Sequence, residues 1–203
     1  MRAVVLNGYG GPEVMEVREL PDPVAGPEEV VVDVAATALN RADLLQRIGR
    51  YPQPGPKPEH EIPGLEFAGR VGAVGPRVTA WKVGDPVMGI LAGGGYASKV
   101  AVHERQAIPV PAGMDPADAA AIPEVWLTAW DALVLQGGLG PGGVALVHGG
   151  ASGVGTAAIQ IARWAGARVV VTCSAGKIDR CLELGADAAV DYRGGDPLAA
   201  VRE

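Results

Sequence analysis

Cysteine is nearly absent from this 203-residue chain, which holds only Cys173 and Cys181. Two thiols cannot build a disulfide framework, and their spacing fits no zinc knuckle. The expectation is a pair of reduced thiols in a cytoplasmic protein. Positive charge is also scarce: 17 Lys and Arg stand against 23 Asp and Glu, a formal charge of −6, with no basic cluster. A nucleic-acid footprint needs a basic stripe, so nucleic acid is not an expected partner. Small anionic ligands stay open, because a local site can be positive on an acidic protein. No stretch approaches the ~18 uninterrupted apolar residues of a spanning helix. Met1 to Asn7 is a short strand-like run, without the apolar region and small-residue cleavage site of a secretory signal. Internal repeats and low-complexity tracts are missing too.

What is present is an apolar fraction of 48%, enough for a sizeable core, together with 30 Gly and 17 Pro. These cluster in the first 150 positions between apolar runs, which implies tight turns rather than disorder. The first ~110 residues read as short strands: Ala3–Leu6, Met15–Leu20, Val30–Ala36, Phe67–Val74, Pro86–Ile90 and Tyr96–Val102. Within them, Asn40 to Arg47 has good helix formers behind an Asn in the N-cap position. A Pro-rich loop, Tyr51 to Pro63, follows. After Pro111 the texture changes. Asp115-Pro116 starts a helix, Pro123 restarts it, and helix continues to Leu135. A glycine loop, 137–143, leads into strand Val144–His148, helix Thr156–Ala165, strand Arg168–Cys173, helix Lys177–Gly185 and strand Ala188–Asp191. Alternating strands and helices predict a parallel sheet with right-handed crossovers. The expected class is α/β: a β-rich domain over 1–120, then a linking helix and an incomplete Rossmann βαβαβ unit over 121–203.

The strongest chemical signal is His148-Gly149-Gly150-Ala151-Ser152-Gly153-Val154-Gly155. It follows a predicted strand and opens a predicted helix. Such a helix start offers unpaired N–H groups and a partial positive charge to a pyrophosphate, and glycines let the backbone come close. A ligand-free strand-to-helix turn is the bland alternative. The spacing also fits short-chain dehydrogenases, but their downstream Tyr-x-x-x-Lys is missing. Strand two ends at Thr172-Cys173-Ser174 with no Asp or Glu for a ribose 2′-hydroxyl. Ser174, Lys177 and Arg180 sit where a 2′-phosphate would lie, so NADPH is favoured over NADH. Lys177 as an ordinary solvated first-turn residue remains open.

With these residues in hand, the chain resembles the zinc-free medium-chain dehydrogenases/reductases, specifically quinone oxidoreductases. The resemblance rests on Asn40 to Arg47, Ile62-Pro63-Gly64-Leu65-Glu66, Trp81-Lys82-Val83-Gly84-Asp85, Ala121 to Ala129 and the 148–155 loop. It is nearest the zeta-crystallin-like group and, within it, the subgroup induced by a tumour suppressor in animals. The resemblance implies a GroES-like catalytic domain joined to a Rossmann domain, with Asn40, Asp43 and Tyr51 lining a quinone pocket. It implies Thr128 against the nicotinamide, Ser152, Gly153, Val154 and Gly155 on the pyrophosphate, and Ser174, Lys177 and Tyr192 around the 2′-phosphate. Taken singly, Asn40 also reads as only an N-cap, Tyr51 as a loop anchor, Asp43 as a solvated helix residue and Thr128 as a buried helix hydroxyl. The catalytic Cys and the Gly-His-Glu ligands of zinc alcohol dehydrogenases are absent, Leu65-Glu66 standing in place of His-Glu, so no metal is expected.

The implied activity is hydride transfer from NADPH to a quinone, with Asn40 and Tyr51 donating to the developing oxyanion. An enone or enoyl reductase and a non-catalytic nucleotide-binding protein are the rival readings. The resemblance further implies a homo-oligomer in a full-length form. It also implies that this chain stops partway through its nucleotide domain, with impaired turnover and strand Val144–Val147 left as an apolar edge.

Overall fold

The computed structural model describes every residue except Pro56 and Lys57, which belong to the Pro-rich loop, Gly195, and Glu203. The chain divides into two compact units, one covering Met1–Glu124 and the other starting at Val125.

The first unit is antiparallel. Strands β1 (Arg2–Leu6) and β2 (Met15–Glu19) form a two-stranded sheet, pairing Val4 with Val17. A five-stranded sheet is built from β3 (Glu29–Ala36), β4 (Glu66–Val74), β5 (Pro86–Ile90), β6 (Lys99–His103) and β7 (Ala107–Pro109), in the order β6-β3-β4-β5-β7. Helix α1 (Arg41–Arg47) lies between β3 and β4 in sequence, and α2 (Pro116–Ala119) follows β7. Successive strand side chains point to opposite faces, and here both faces are covered. On one, Val30, Val32, Phe67, Val71, Val87, Val100 and Val102 form a core. On the other, Ala68 and Met88 pack on Ala119 and Ala120 around α2. Phe67, the only Phe in the chain, is fully buried, a burial that stabilises by roughly 1.5–3 kcal/mol.

Two strand expectations need correction. The strand expected from Tyr96 begins at Lys99, because the backbone at Tyr96 is engaged elsewhere. The Tyr96 N–H donates to the Pro63 carbonyl at 2.9 Å, and its carbonyl accepts from Val4 at 2.8 Å. Strand β7 was not foreseen; at three residues with a Pro it leaves no alternation to read.

The second unit opens with the body of α3 (Pro123–Trp130), which runs into a π-helical turn, Asp131–Gln136. Strands β8 (Val144–His148), β9 (Arg168–Cys173) and β10 (Ala188–Asp191) form a parallel sheet ordered β10-β9-β8. Helices α4 (Gly153–Trp164) and α5 (Ile178–Leu184) connect them, and α6 (Pro197–Arg202) follows. Central β9 has Val169, Val170 and Val171 at 0% exposure, as its unbroken apolar run predicts for a buried parallel strand. Helix α4 buries Ala157, Ala158, Ile159, Ile161 and Ala162, at helical spacing. It begins three residues earlier than expected, and a 3-10 turn, Ala175–Lys177, precedes α5. The parallel sheet and its two crossovers are the first half of a Rossmann fold, and the class is α/β as expected.

Candidate functional site

Two groups of side chains are candidates for the site, one in each unit. In the second unit, the β8-to-α4 loop folds because Ser152 caps the helix: its Oγ accepts the Gly155 N–H at 3.1 Å. Gly149 takes φ +72°, a left-handed conformation that side chains rarely adopt. Gly155 passes so close to the Gly149 carbonyl that a Cβ would overlap it. The loop is tied to β9 by Gly150 N–H donating to the Thr172 carbonyl at 2.9 Å. The result is a cleft of about 280 Å³ lined by Gly149, Ala151, Ser152, Cys173, Ser174, Lys177 and Tyr192. That lining holds one cation and no carboxylate.

Of the residues expected around a nucleotide, the fold thus brings Ser152, Ser174, Lys177 and Tyr192 to one cleft. Gly153, Val154 and Gly155 form the first turn of α4 beside it. Arg180 does not line the cleft; it pairs with Glu183 at 2.8 Å along α5. Thr128 sits on α3 outside the lining, and it is exposed rather than buried. Cys173 is a lining residue that the sequence reading did not single out.

In the first unit, Asn40 and Asp43 share one hydrogen-bonded group. The Asn40 N–H donates to Asp43 Oδ2 at 2.8 Å, closing the start of α1. The Tyr96 hydroxyl donates to the same oxygen at 2.9 Å. Asp43 is only 3% exposed, so its reading as a solvated helix residue is wrong. Its Oδ1 is buried without a hydrogen-bond partner. Asn40 Nδ2 donates to Glu66 Oε1 at 2.7 Å, and Glu66 Oε2 accepts the Glu124 N–H at 2.9 Å. Burial pushes the Glu66 carboxyl above the ordinary range, opposed by these two donors. The Tyr96 phenol is likewise held well above its ordinary value, first by burial and then by Asp43. Tyr51 is exposed and has no place in this network. Glu66 and Tyr96 are the members that sequence reasoning missed. The signal for Glu66 was a carboxylate in the otherwise apolar run Leu65 to Ala68.

Residues 26–112 match the Alcohol dehydrogenase GroES-like domain, and residues 153–203 match the family described as Zinc-binding dehydrogenase. A solved NAD-dependent alcohol dehydrogenase is 39% identical with a TM-score of 0.90, covering 100% of this chain and 66% of that one. The chain belongs to the medium-chain dehydrogenase/reductase family. The first unit is therefore its GroES-like domain and the second a partial Rossmann-like domain. Escherichia coli quinone oxidoreductase, solved in complex with NADPH, is 30% identical at a TM-score of 0.89, over 100% of this chain and 62% of that one. CurK enoyl reductase is 30% identical at 0.90, over 98% of this chain and 62% of its own. Among curated relatives, the Synaptic vesicle membrane protein VAT-1 homolog of Rattus norvegicus is 36% identical over 100% of this chain and 50% of its own length. The chain spans about half the length of that relative. One of the matched families has zinc in its name, yet the described residues include no group of three or more His, Cys, Asp or Glu able to hold a metal. Nor is any helix among them long and apolar enough to cross a membrane.

Proposed function

We propose that this chain is the part of an NADPH-dependent oxidoreductase that seats the nucleotide phosphates and polarises a quinone acceptor. The observation that carries this reading is the cleft beside α4, with Ser174 and Lys177 on its wall and no carboxylate in its lining. Backbone N–H groups in the first turn of α4, at Gly153 and Val154, have no partner inside the helix and would receive the pyrophosphate. Lys177 and Ser174 would hold a 2′-phosphate, which a carboxylate would repel. Thr128, Tyr192 and Gly155 complete the nucleotide-binding set. When bound, the nicotinamide supplies the hydride.

Asn40, Asp43 and Tyr51 form the acceptor-side set. Asn40 commits one amide hydrogen to Glu66 and keeps a second to offer an acceptor oxygen as it gains negative charge. Tyr51, exposed on its loop, would add a phenolic donor, and Asp43 holds the Asn40 backbone in place. Solvent can protonate the quinol oxygens, so the chemistry asks no more of the chain than orientation and donors.

The similarity to CurK enoyl reductase favours a second reading, reduction of an enone or enoyl group with the same residues. Equilibrium binding comes first. NADPH should bind at least tenfold more tightly than NADH, and equal affinities would remove the basis for the 2′-phosphate assignment. Initial rates with ortho-quinones and with acyclic enones then separate the two readings. Failure to oxidise NADPH with either acceptor would support a non-catalytic nucleotide binder.

A further inference from the structure

Glu66 is 1% exposed at the start of β4, where an isolated carboxylate is costly. It is fully engaged. Oε1 accepts from Asn40 Nδ2 at 2.7 Å, Oε2 from the Glu124 N–H at 2.9 Å, and its backbone carbonyl from Thr37 Oγ1 at 2.7 Å. One residue thus joins the segment before α1 to β4 and to the start of α3. The other end of Asn40 is fixed as well, because its N–H donates to Asp43, which Tyr96 holds in turn. An Asn amide has two hydrogens and one oxygen, and its two flipped orientations differ little in shape. A partner that accepts and cannot donate selects the orientation that turns an N–H toward it. An ionised carboxylate is such a partner; a glutamine in its place would present a donor to one of the two N–H groups it now serves.

We infer that Glu66 is the positioning residue for Asn40: it fixes the amide orientation so that the second N–H points where an acceptor can use it. This rests on the proposed role of Asn40 as a donor to the acceptor oxygen. Asp43 and Tyr96 place the backbone, and Glu66 sets the direction of the donor.

Two variants and two readouts test the inference. Glu66→Leu removes the acceptor from Asn40 at a similar side-chain volume. The exchanged pair, Asn40→Asp with Glu66→Gln, restores the contact with its direction reversed and still leaves an oxygen for the Glu124 N–H, but position 40 then has no N–H to offer. In ¹⁵N-resolved spectra, the two Asn40 amide protons of the wild-type chain should be widely split, the one on Glu66 lying downfield. In Glu66→Leu that splitting should fall to the value of a solvent-exposed Asn. A wild-type amide without such splitting, or splitting unchanged in the variant, overturns the inference. In acceptor reduction, Glu66→Leu should lower kcat at least tenfold, with acceptor KM and NADPH affinity within twofold of wild type. The exchanged pair should recover the wild-type Tm and keep the low kcat; wild-type kcat in either variant overturns the positioning role. If the wild-type protein reduces neither quinones nor enones, the proposed function fails, and the amide splitting alone decides what Glu66 does.

Discussion

Lys177 is the lone cation lining the cleft beside α4, so reversing its charge is the sharpest single-residue probe of the proposed cofactor choice. Lys177→Glu should weaken NADPH binding by about 1–3 kcal/mol, the loss of a charge-assisted hydrogen bond. NADH binding should change far less, and titration calorimetry with both nucleotides reads the difference. The two thiols call for a different expectation. Cys173 and Cys181 are 3% and 0% exposed. Burial, with Cys173 alongside, pushes the Cys181 thiol up to about 11. A thiol so rarely ionised is a poor nucleophile. The folded chain should therefore resist a disulfide reagent such as DTNB at pH 8 and release two equivalents on unfolding. Rapid reaction of the native chain would mean that the β9–α5 packing opens readily.

The β8-to-α4 turn would set the proposed phosphate site through its backbone, so its substitutions should separate capping from close packing. Ser152→Ala removes the cap on the Gly155 N–H and should cost about 1 kcal/mol. Gly155→Ala forces a methyl against the Gly149 carbonyl. Backbone cannot yield as a side chain can, so we expect a loss of about 1–3 kcal/mol together with loss of nucleotide binding. Thermal melts with and without NADPH check both. Elements of this kind differ in how far they can be read from sequence. Strands β8, β9 and β10 were legible to the residue, because each is a short apolar run bounded by glycine loops or helices, and β9 is also buried throughout its centre. The start of α4 was not, since Gly153-Val154-Gly155 is a poor helix former that the Ser152 cap and the close approach to Gly149 hold in helix. The same limit applies to the hydrogen-bonded network of the first unit. Asn40 and Asp43 stood out in the sequence, but their partners Glu66 and Tyr96 lie 26 and 53 residues away, and no local pattern announces a contact of that span.

At the scale of the molecule, acid stability follows from a few carboxylates of the first unit. Glu104 is held below the usual range by the Ala80 and Thr79 N–H groups, Asp22 by the N-terminal ammonium, and Glu16 by Asn7 and Arg18. A depressed value means stabilisation that is whole above about pH 4.5 and drains as pH falls through the folded-state values. Glu66 has the opposite sign: its raised value favours the protonated form, so acidification relieves its burial. With three groups against one, Tm should fall as pH is lowered from 4.5 to 3, and Glu104→Gln should flatten part of that slope. A Tm that rises over this interval would mean that Glu66 outweighs the other three. The second unit has its own timekeeper. Strand β9 has a neighbour on each side, and its three central valines have no solvent exposure. Its amides can meet deuterium only when the whole sheet comes apart, whereas β8 and β10, each with one strand neighbour among the described residues, can exchange from the other side. Cys173, which ends β9, and Ser174, which follows it, belong to the wall of the cleft beside α4. That wall should therefore keep its shape through every local fluctuation of the loops around it, and hydrogen exchange should find β9 the last part of its unit to take up label.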